Sequence, residues 1–181
     1  MLLSRLFLPL SLTNFYIAAT LAKNHQPSNS LPGHSLSAAE VISLLSLEPT
    51  AEKGFLHETF RDAYHLPCAA NRSASTAIYY LLTGAESFSL WHKVDQTEVW
   101  HYYAGAPLSL YMADDEGGGR SEVFMGADLA GGMRPQGVVP KDMWQRARSW
   151  GEWTLVGTTV APGFEISGVI VKPEGWNPGD P

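Results

Sequence analysis

Residues 88–105, FSLWHKVDQTEVWHYYAG, are the stretch that decides the fold of this chain. The stretch contains two short β-type runs, one that ends at His92 and one that begins at Glu98. Five residues separate His92 from Glu98, and six separate Glu98 from Gly105. The pattern predicts an imidazole and a carboxylate on consecutive strands, a pairing that proton-transfer chemistry can use.

On both sides of this stretch the chain is a series of β-type runs bounded by Gly, Pro or Asp, which is typical of an all-β sandwich or barrel. A single helix is predicted before them, because Ser37 and Glu40 form an S-x-x-E capping box and Pro49 stops the apolar stripe that follows. The predicted strands are residues 55–60, 76–82, 88–92, 98–103, 108–112, 122–125, 144–147, 153–160 and 164–170.

Composition limits the classes of function. At 181 residues and 45% hydrophobic content, the chain fits one domain whose core needs no disulfide or metal for stability. The net charge is −6 and the Lys and Arg residues are scattered singly, so we expect no nucleic-acid partner. Cys68 is the only cysteine, which excludes an intrachain disulfide and a thiolate zinc cluster.

The chain ends are predicted to lie outside the domain. Residues 1–22 have the layout of a secretory signal peptide or another leader, with Arg5 before an apolar run. That run is too short and too interrupted for a stable membrane span. Residues 23–36 are predicted to be a linker, and residues 173–181 a C-terminal tail. We expect secretion if the leader is a signal peptide, and a cytoplasmic protein otherwise.

His92, Glu98 and Gly105 stand at the spacing of the first metal-binding motif of the cupins. The segments GFLHETF, NRSASTAIYYLL, TEVWHYYAGAPLSL, VVPKDMWQRAR and TLVGTTVAPGF resemble one uncharacterised subgroup, cupin family five, a domain of unknown function. The resemblance implies an all-β cupin double-stranded β-helix, the jelly-roll barrel shared with dTDP-sugar epimerases, with one N-terminal helix and a domain at residues 37–172. It also implies a homodimer.

Both metal-binding motifs of the cupins are incomplete in this chain. The first motif normally opens His-x-His, and Leu90 occupies its first position. The second motif normally runs Pro-x-Gly-x-x-His, and Asp142 and Gln145 occupy its glycine and histidine positions. The remaining His92, Glu98 and Gln145 would bind a divalent ion only weakly, because an amide and a carboxylate replace two imidazoles. We expect no metal cofactor, with a weakly bound divalent metal as the alternative.

Strand parity sorts the aromatic candidates. If Glu98 points into the barrel, Trp100 and Tyr102 point inward with it, and His101 points to the other face unless a bulge intervenes. Trp100 and Tyr102 are therefore candidate ligand contacts, and the alternative for both is plain core packing, since aromatic side chains fill small barrels in any case. For His101 we expect a structural or interface role.

Three polar side chains are further candidates for ligand binding. The resemblance places the strand of Glu58 at the barrel mouth, where the side chain faces either pocket or solvent. Arg72 could clamp an anionic group bidentately or form a structural salt bridge. Arg72 also lies within an N-x-S glycosylation acceptor at Asn71, and a glycan there would conflict with a ligand contact. Gln145 would orient a ligand through its amide.

His92 and Glu98 are the candidate catalytic residues, since a carboxylate raises the proton affinity of a nearby imidazole while burial opposes it. The alternative is a buried hydrogen-bonded pair inherited from a metal-binding ancestor. We therefore expect a small-molecule-binding cupin, in one hypothesis a metal-independent isomerase or epimerase of a small polar or cyclic metabolite. The alternatives are a cupin that binds its ligand without converting it, and a weak-metal oxygenase or decarboxylase.

Overall fold

The computed structural model describes residues 36–180. The predicted leader and all but the last residue of the predicted linker lie outside the described residues. Within this range one α helix, α1, spans Ala38–Leu44. The strands are β1 Glu48–Pro49, β2 Phe55–Arg61, β3 His65–Leu66, β4 Arg72–Ser73, β5 Thr76–Thr83, β6 His92–Val94, β7 Glu98–Gly105, β8 Leu108–Ala113, β9 Ser121–Met125, β10 Gln136–Val139, β11 Trp144–Ser149, β12 Trp153–Val160 and β13 Val169–Val171.

The predicted capping box starts α1. The Ser37 hydroxyl accepts from the Glu40 N–H, and the Glu40 carboxylate accepts from the Ser37 N–H at 2.8 Å. These bonds satisfy main-chain donors that the first helical turn leaves free. Val41 then packs with Leu47 and Leu81 on one face of the sheet that contains β5. The helix therefore covers the outer side of that sheet.

The strands form two antiparallel sheets and a small ribbon, which confirms the predicted all-β cupin fold. The six-stranded sheet has the order β1-β2-β5-β12-β7-β10, and the five-stranded sheet has the order β13-β6-β11-β8-β9. Strands β3 and β4 pair with each other. Inward-facing side chains of both sheets meet in one core cluster, which includes Tyr80, Trp100, Leu110, Ala147 and Val156. Period-two alternation accounts for this cluster, since Tyr80 and Leu82 face it while Leu81 faces α1.

Two predicted strands begin too early. Residues 88–91 are not in a strand, and β6 begins only at His92, because the main-chain N–H groups of Ser89 and Leu90 bond to Ala147 and Glu52. In the predicted strand at 164–170, Ile166–Gly168 forms a 3-10 turn and only the last two residues belong to β13. Among residues 36–180, no helix has the length and apolar character to cross a membrane.

Candidate functional site

A cavity of about 110 Å³ lies between the two sheets, and we call it the inner cavity. Each strand around it contributes side chains two residues apart, as expected where one face of a strand points inward. Most of the lining is apolar or aromatic. The lining residues are Glu52, Leu56, Glu58, Thr76, Ile78, Tyr80, His92, Val94, Glu98, Trp100, Thr158, Val160 and Phe164.

His92 opens β6 and is buried, with 6% of its surface exposed. Its Nδ1 lies 3.0 Å from the carbonyl oxygen of Leu90. Because a carbonyl only accepts hydrogen bonds, this contact assigns the proton of the neutral ring to Nδ1 and leaves the lone pair on Nε2. No described residue hydrogen-bonds to Nε2. The main chain therefore fixes the tautomer of His92 and keeps Nε2 available to a ligand.

Glu98 belongs to a buried network with Trp100 and Gln145. Its Oε2 accepts from Nε2 of Gln145 at 2.7 Å and from Nε1 of Trp100 at 3.3 Å. The Trp100 indole also donates to Oε1 of Gln145 at 3.0 Å. All three residues are buried, with Gln145 fully so. The network immobilises the carboxylate and uses one of its oxygens, while Oε1 accepts from no described residue.

His92 and Glu98 line the same cavity but do not contact each other through polar atoms. Neither a hydrogen bond nor an ion pair joins them in the described structure. Within residues 36–180, Nε2 of His92 and Oε1 of Glu98 therefore have no hydrogen-bond partner, and both can meet a bound molecule.

Tyr80, on β5, is a cavity residue that the sequence reasoning missed. Its hydroxyl donates to the carbonyl of Lys53 at 2.7 Å, and its ring lies edge-on to Trp100 at 5.8 Å. Burial raises the pKa of Tyr80 well above its ordinary value, and the carboxylates of Glu52, Glu86 and Glu98 raise it further. Tyr80 is thus a neutral wall of the cavity at physiological pH.

An ion-pair cluster stands at the mouth of the inner cavity. Glu58 lines the cavity and binds Arg61 through both oxygens, at 2.9 and 2.8 Å. Arg61 also pairs with Glu165 at 3.2 Å and donates to the carbonyl of Phe164, another lining residue. The hydrogen bond with Glu58 raises the pKa of Arg61, despite the opposing effect of partial burial. The cluster ties β2 to the segment after β12.

Residues 39–171 match the family described as "Cupin superfamily (DUF985)". The chain belongs to this cupin family. The assignment confirms the resemblance in the sequence. A small-molecule-binding role is in keeping with the fold, and the family description assigns no reaction.

Solved structures give the same fold. A Shewanella oneidensis protein, a structural-genomics target, is 31% identical with a TM-score of 0.70, and the match covers 76% of this cupin and 85% of that chain. A hypothetical protein from Leishmania major is 27% identical with a TM-score of 0.68, covering 75% and 86%. A mutant of Bacillus subtilis oxalate decarboxylase shares the fold alone, at 13% identity and a TM-score of 0.50, covering 75% and 31%. No curated protein matches this cupin.

Within residues 36–180, the positions of the two cupin metal-binding motifs are occupied by side chains with other partners. No group of three or more His, Cys, Asp or Glu side chains that could hold an ion lies within residues 36–180. Both polar atoms of Gln145 are engaged, by Glu98 and by Trp100, and the carbonyl of Leu90 rather than its side chain meets His92. Asp142, at the usual glycine position, adopts a left-handed φ of 62°, a conformation that glycine adopts without strain.

The structure brings four candidate residues to the cavity wall and leaves three away from it. Glu58, His92, Glu98 and Trp100 line the inner cavity. Gln145 lies behind Glu98 in the buried network.

The other two candidates have structural partners. Arg72 forms a two-point ion pair with Asp95, at 2.9 and 2.6 Å, and this hydrogen bonding raises the pKa of Arg72. Tyr102 packs on the core cluster as strand parity predicts, and its hydroxyl donates to the carbonyl of Gly105. Neither side chain lines the inner cavity. For Arg72, the structure contains the salt bridge that the sequence left open as the alternative.

Proposed function

We propose that this cupin binds a small polar or cyclic metabolite in the inner cavity and isomerises or epimerises it without a metal ion. The observation that carries the proposal is the tautomer and position of His92. Its Nδ1 donates to a main-chain carbonyl, and its Nε2 keeps a lone pair on a buried residue that lines a mostly apolar cavity. An imidazole so held is a general base whose orientation is set before the ligand arrives.

The size of the inner cavity limits the ligand. Its volume of about 110 Å³ is well below the roughly 300–1,000 Å³ of sites that take drug-sized molecules. The ligand class is therefore a metabolite of few heavy atoms. Tyr80 and Trp100 supply aromatic walls, and Glu98 supplies the fixed carboxylate oxygen that a ligand hydroxyl can meet.

In the proposed reaction, Nε2 of His92 takes a proton from a carbon atom next to a carbonyl group. The electron pair of the broken C–H bond forms the C=C bond of an enolate. Oε1 of Glu98 accepts the proton of the neighbouring hydroxyl group and passes it to the former carbonyl oxygen. Return of that proton from Nε2 to the former carbonyl carbon gives an isomer. An epimer forms when a second proton carrier, on the opposite wall, returns a proton to the original carbon.

The test is proton exchange in D₂O. The wild-type protein is incubated with glyceraldehyde, dihydroxyacetone and a cyclic hydroxyketone, and loss of the C–H signal is followed by NMR. We expect exchange with at least one probe, and His92→Gln should slow it by about 100-fold or more. His101→Gln is the matched control, because His101 lies on the opposite face of β7, bonded to Gln136 and Thr159, and should leave the rate unchanged.

A second candidate function is ligand binding without conversion. It is favoured by the Glu98–Trp100–Gln145 network, in which one oxygen of the carboxylate has a structural task. In the same experiment, saturable binding of a probe without any exchange would support this candidate and contradict catalysis. Equal exchange rates in wild type and His92→Gln would also contradict the catalytic proposal.

The proposal includes a homodimer, in line with the resemblance to cupin family five. Native mass spectrometry of freshly purified protein measures the mass of the assembly together with any retained ligand. We expect twice the mass of one chain, and a monomer at micromolar concentration would contradict this part of the proposal.

A further inference from the structure

A second cavity, of about 180 Å³, lies where residues 86–91, β11 and residues 173–176 meet, and we call it the tail cavity. It shares no lining residue with the inner cavity. The side chains that matter for its chemistry are those of Lys53, Phe88, Trp91, Arg146, Glu174 and Trp176. Arg146 lies on β11 next to Gln145, and alternation along the strand sends it away from the core that holds Gln145.

Arg146 is a partly buried cation without a carboxylate partner. Its guanidinium carbon lies 4.3 Å from the centre of the Phe88 ring and 4.6 Å from that of Trp91. Aromatic faces stabilise the positive charge, but they accept none of the N–H hydrogen bonds that guanidinium groups make in their plane. No acidic side chain of residues 36–180 forms an ion pair with Arg146. Burial lowers the pKa of Arg146, as expected for a charge removed from water without a counter-ion.

Two buried donors of the tail cavity have no acceptor. Nε of Arg146 and Nε1 of Trp176 are the buried side-chain polar atoms of the described chain that lack a hydrogen-bond partner. Both residues line the same cavity. Buried donors are almost always paired, so two unpaired donors at one place indicate a missing acceptor. Since one donor belongs to a cation, the acceptor that fits best carries negative charge.

The acidic residues of the tail cavity are engaged elsewhere. Glu174 pairs with Lys53 at 2.8 Å, and Glu86 accepts from the main-chain N–H of Gly54 and from the Thr83 hydroxyl. Neither carboxylate forms an ion pair with Arg146. Arg146 and Trp176 therefore contribute donors to the cavity wall that no carboxylate of the described lining residues engages.

We propose that the tail cavity is a binding site for a small oxyanion, a carboxylate or a phosphate, that accepts hydrogen bonds from Arg146 and Trp176. The site is independent of the function proposed for the inner cavity. The aromatic rings of Phe88 and Trp91 hold the guanidinium plane in place, so that the cation is already oriented when the anion enters.

The test titrates the full chain with sodium acetate, sodium benzoate and sodium phosphate at constant ionic strength, with sodium chloride as the reference salt. Calorimetry gives the affinity, and the indole N–H signals in a ¹H–¹⁵N NMR spectrum give the location. Trp176→Phe assigns the signal of Trp176. We expect that signal to shift saturably with at least one of the three anions, while the Trp150 indole, bonded to Ser109, stays in place. The anion that binds distinguishes the carboxylate from the phosphate.

Arg146→Met should weaken binding by about tenfold or more, because it removes a charge-assisted hydrogen bond. Arg148→Met is the matched control: Arg148 is the next outward-facing residue of β11 and does not line the tail cavity. It lies over Trp150 at 4.1 Å and more distantly over Phe88 at 5.3 Å. It should change the affinity by less than about twofold. Trp176→Phe, which keeps the ring and removes the N–H, should weaken binding severalfold even if Arg146→Met does not fold. The absence of saturable binding with all three anions, or equal losses in Arg146→Met and Arg148→Met, would overturn the proposal.

Discussion

Gln145 donates a hydrogen bond of 2.7 Å to Glu98, and this bond joins β11 of the five-stranded sheet to β7 of the six-stranded sheet through the core. The typical second cupin motif has a histidine ligand at the position of Gln145. In this chain the position instead completes a buried polar network with Trp100. The residue at the usual position of a metal ligand therefore links the two sheets.

The first prediction concerns the stability that this link provides. Gln145→Leu removes the shorter of the two hydrogen bonds to Glu98 and leaves the buried carboxylate with one donor at 3.3 Å. We expect the free energy of unfolding to fall by about 1–3 kcal/mol. Urea denaturation measures the change. Gln136→Leu, at an exposed residue of β10, should stay within about 0.5 kcal/mol of wild type. Equal losses in the two variants would contradict the role of Gln145.

The second prediction concerns metal content. Elemental analysis of freshly purified protein should find far less than one iron, manganese or zinc ion per chain, because Gln145 and Leu90 replace two imidazole donors. Gln145→His, which adds an imidazole beside His92 and Glu98, should raise the bound zinc. A near-stoichiometric metal in wild type that is lost in His92→Gln would contradict this prediction.

The third prediction concerns alkaline pH. The pKa of Tyr80 is raised in the folded protein above the ordinary 10.0. At a pH between the ordinary pKa and the raised pKa, the unfolded chain releases the phenol proton while the folded chain keeps it. The contribution of Tyr80 to the free energy of unfolding should therefore be fully present below pH 10.0 and be lost as the pH rises above it.

Tyr80→Phe should remove this component of the alkaline loss. It should also cost about 1 kcal/mol at neutral pH, since the Lys53 carbonyl loses its donor. Tyr103→Phe, at a half-exposed residue, is the control and should keep the pH profile of wild type. Denaturant titrations over a series of pH values measure both effects. An unchanged profile in Tyr80→Phe would contradict the prediction.

Much of the fold follows from local signals in the sequence. The capping box at Ser37 and Glu40 predicts the helix, and period-two alternation from Glu98 predicts the inward position of Trp100 and Tyr102. The bulge in β7 falls at Tyr103, beyond both residues, so the parity holds. Residues 88–91 look like a strand by composition, but their main chain bonds to partners far along the sequence, which composition cannot encode.

The candidate site is less fully predicted, because its chemistry depends on tertiary pairing. Period-two alternation on β5 predicts that Tyr80 shares the inward face with Thr76 and Ile78, and all three line the cavity. The pairing of Arg72 with Asp95 leaves no such signal, since the two residues are 23 positions apart. Arg146 stands out only because no carboxylate of residues 36–180 forms an ion pair with it, which is a property of the packed sheet and not of the local sequence.

The hydrogen bond between His92 and the Leu90 carbonyl has a stereochemical consequence. Only Nε2 of the ring can then accept and return a proton, and it would approach a bound molecule from one side. Hydrogen carried between adjacent carbons by a single such atom moves suprafacially. A deuterium label on the substrate should therefore move in part to the adjacent carbon before it exchanges with solvent. Inversion at one carbon would instead require a second proton carrier on the opposite wall of the cavity.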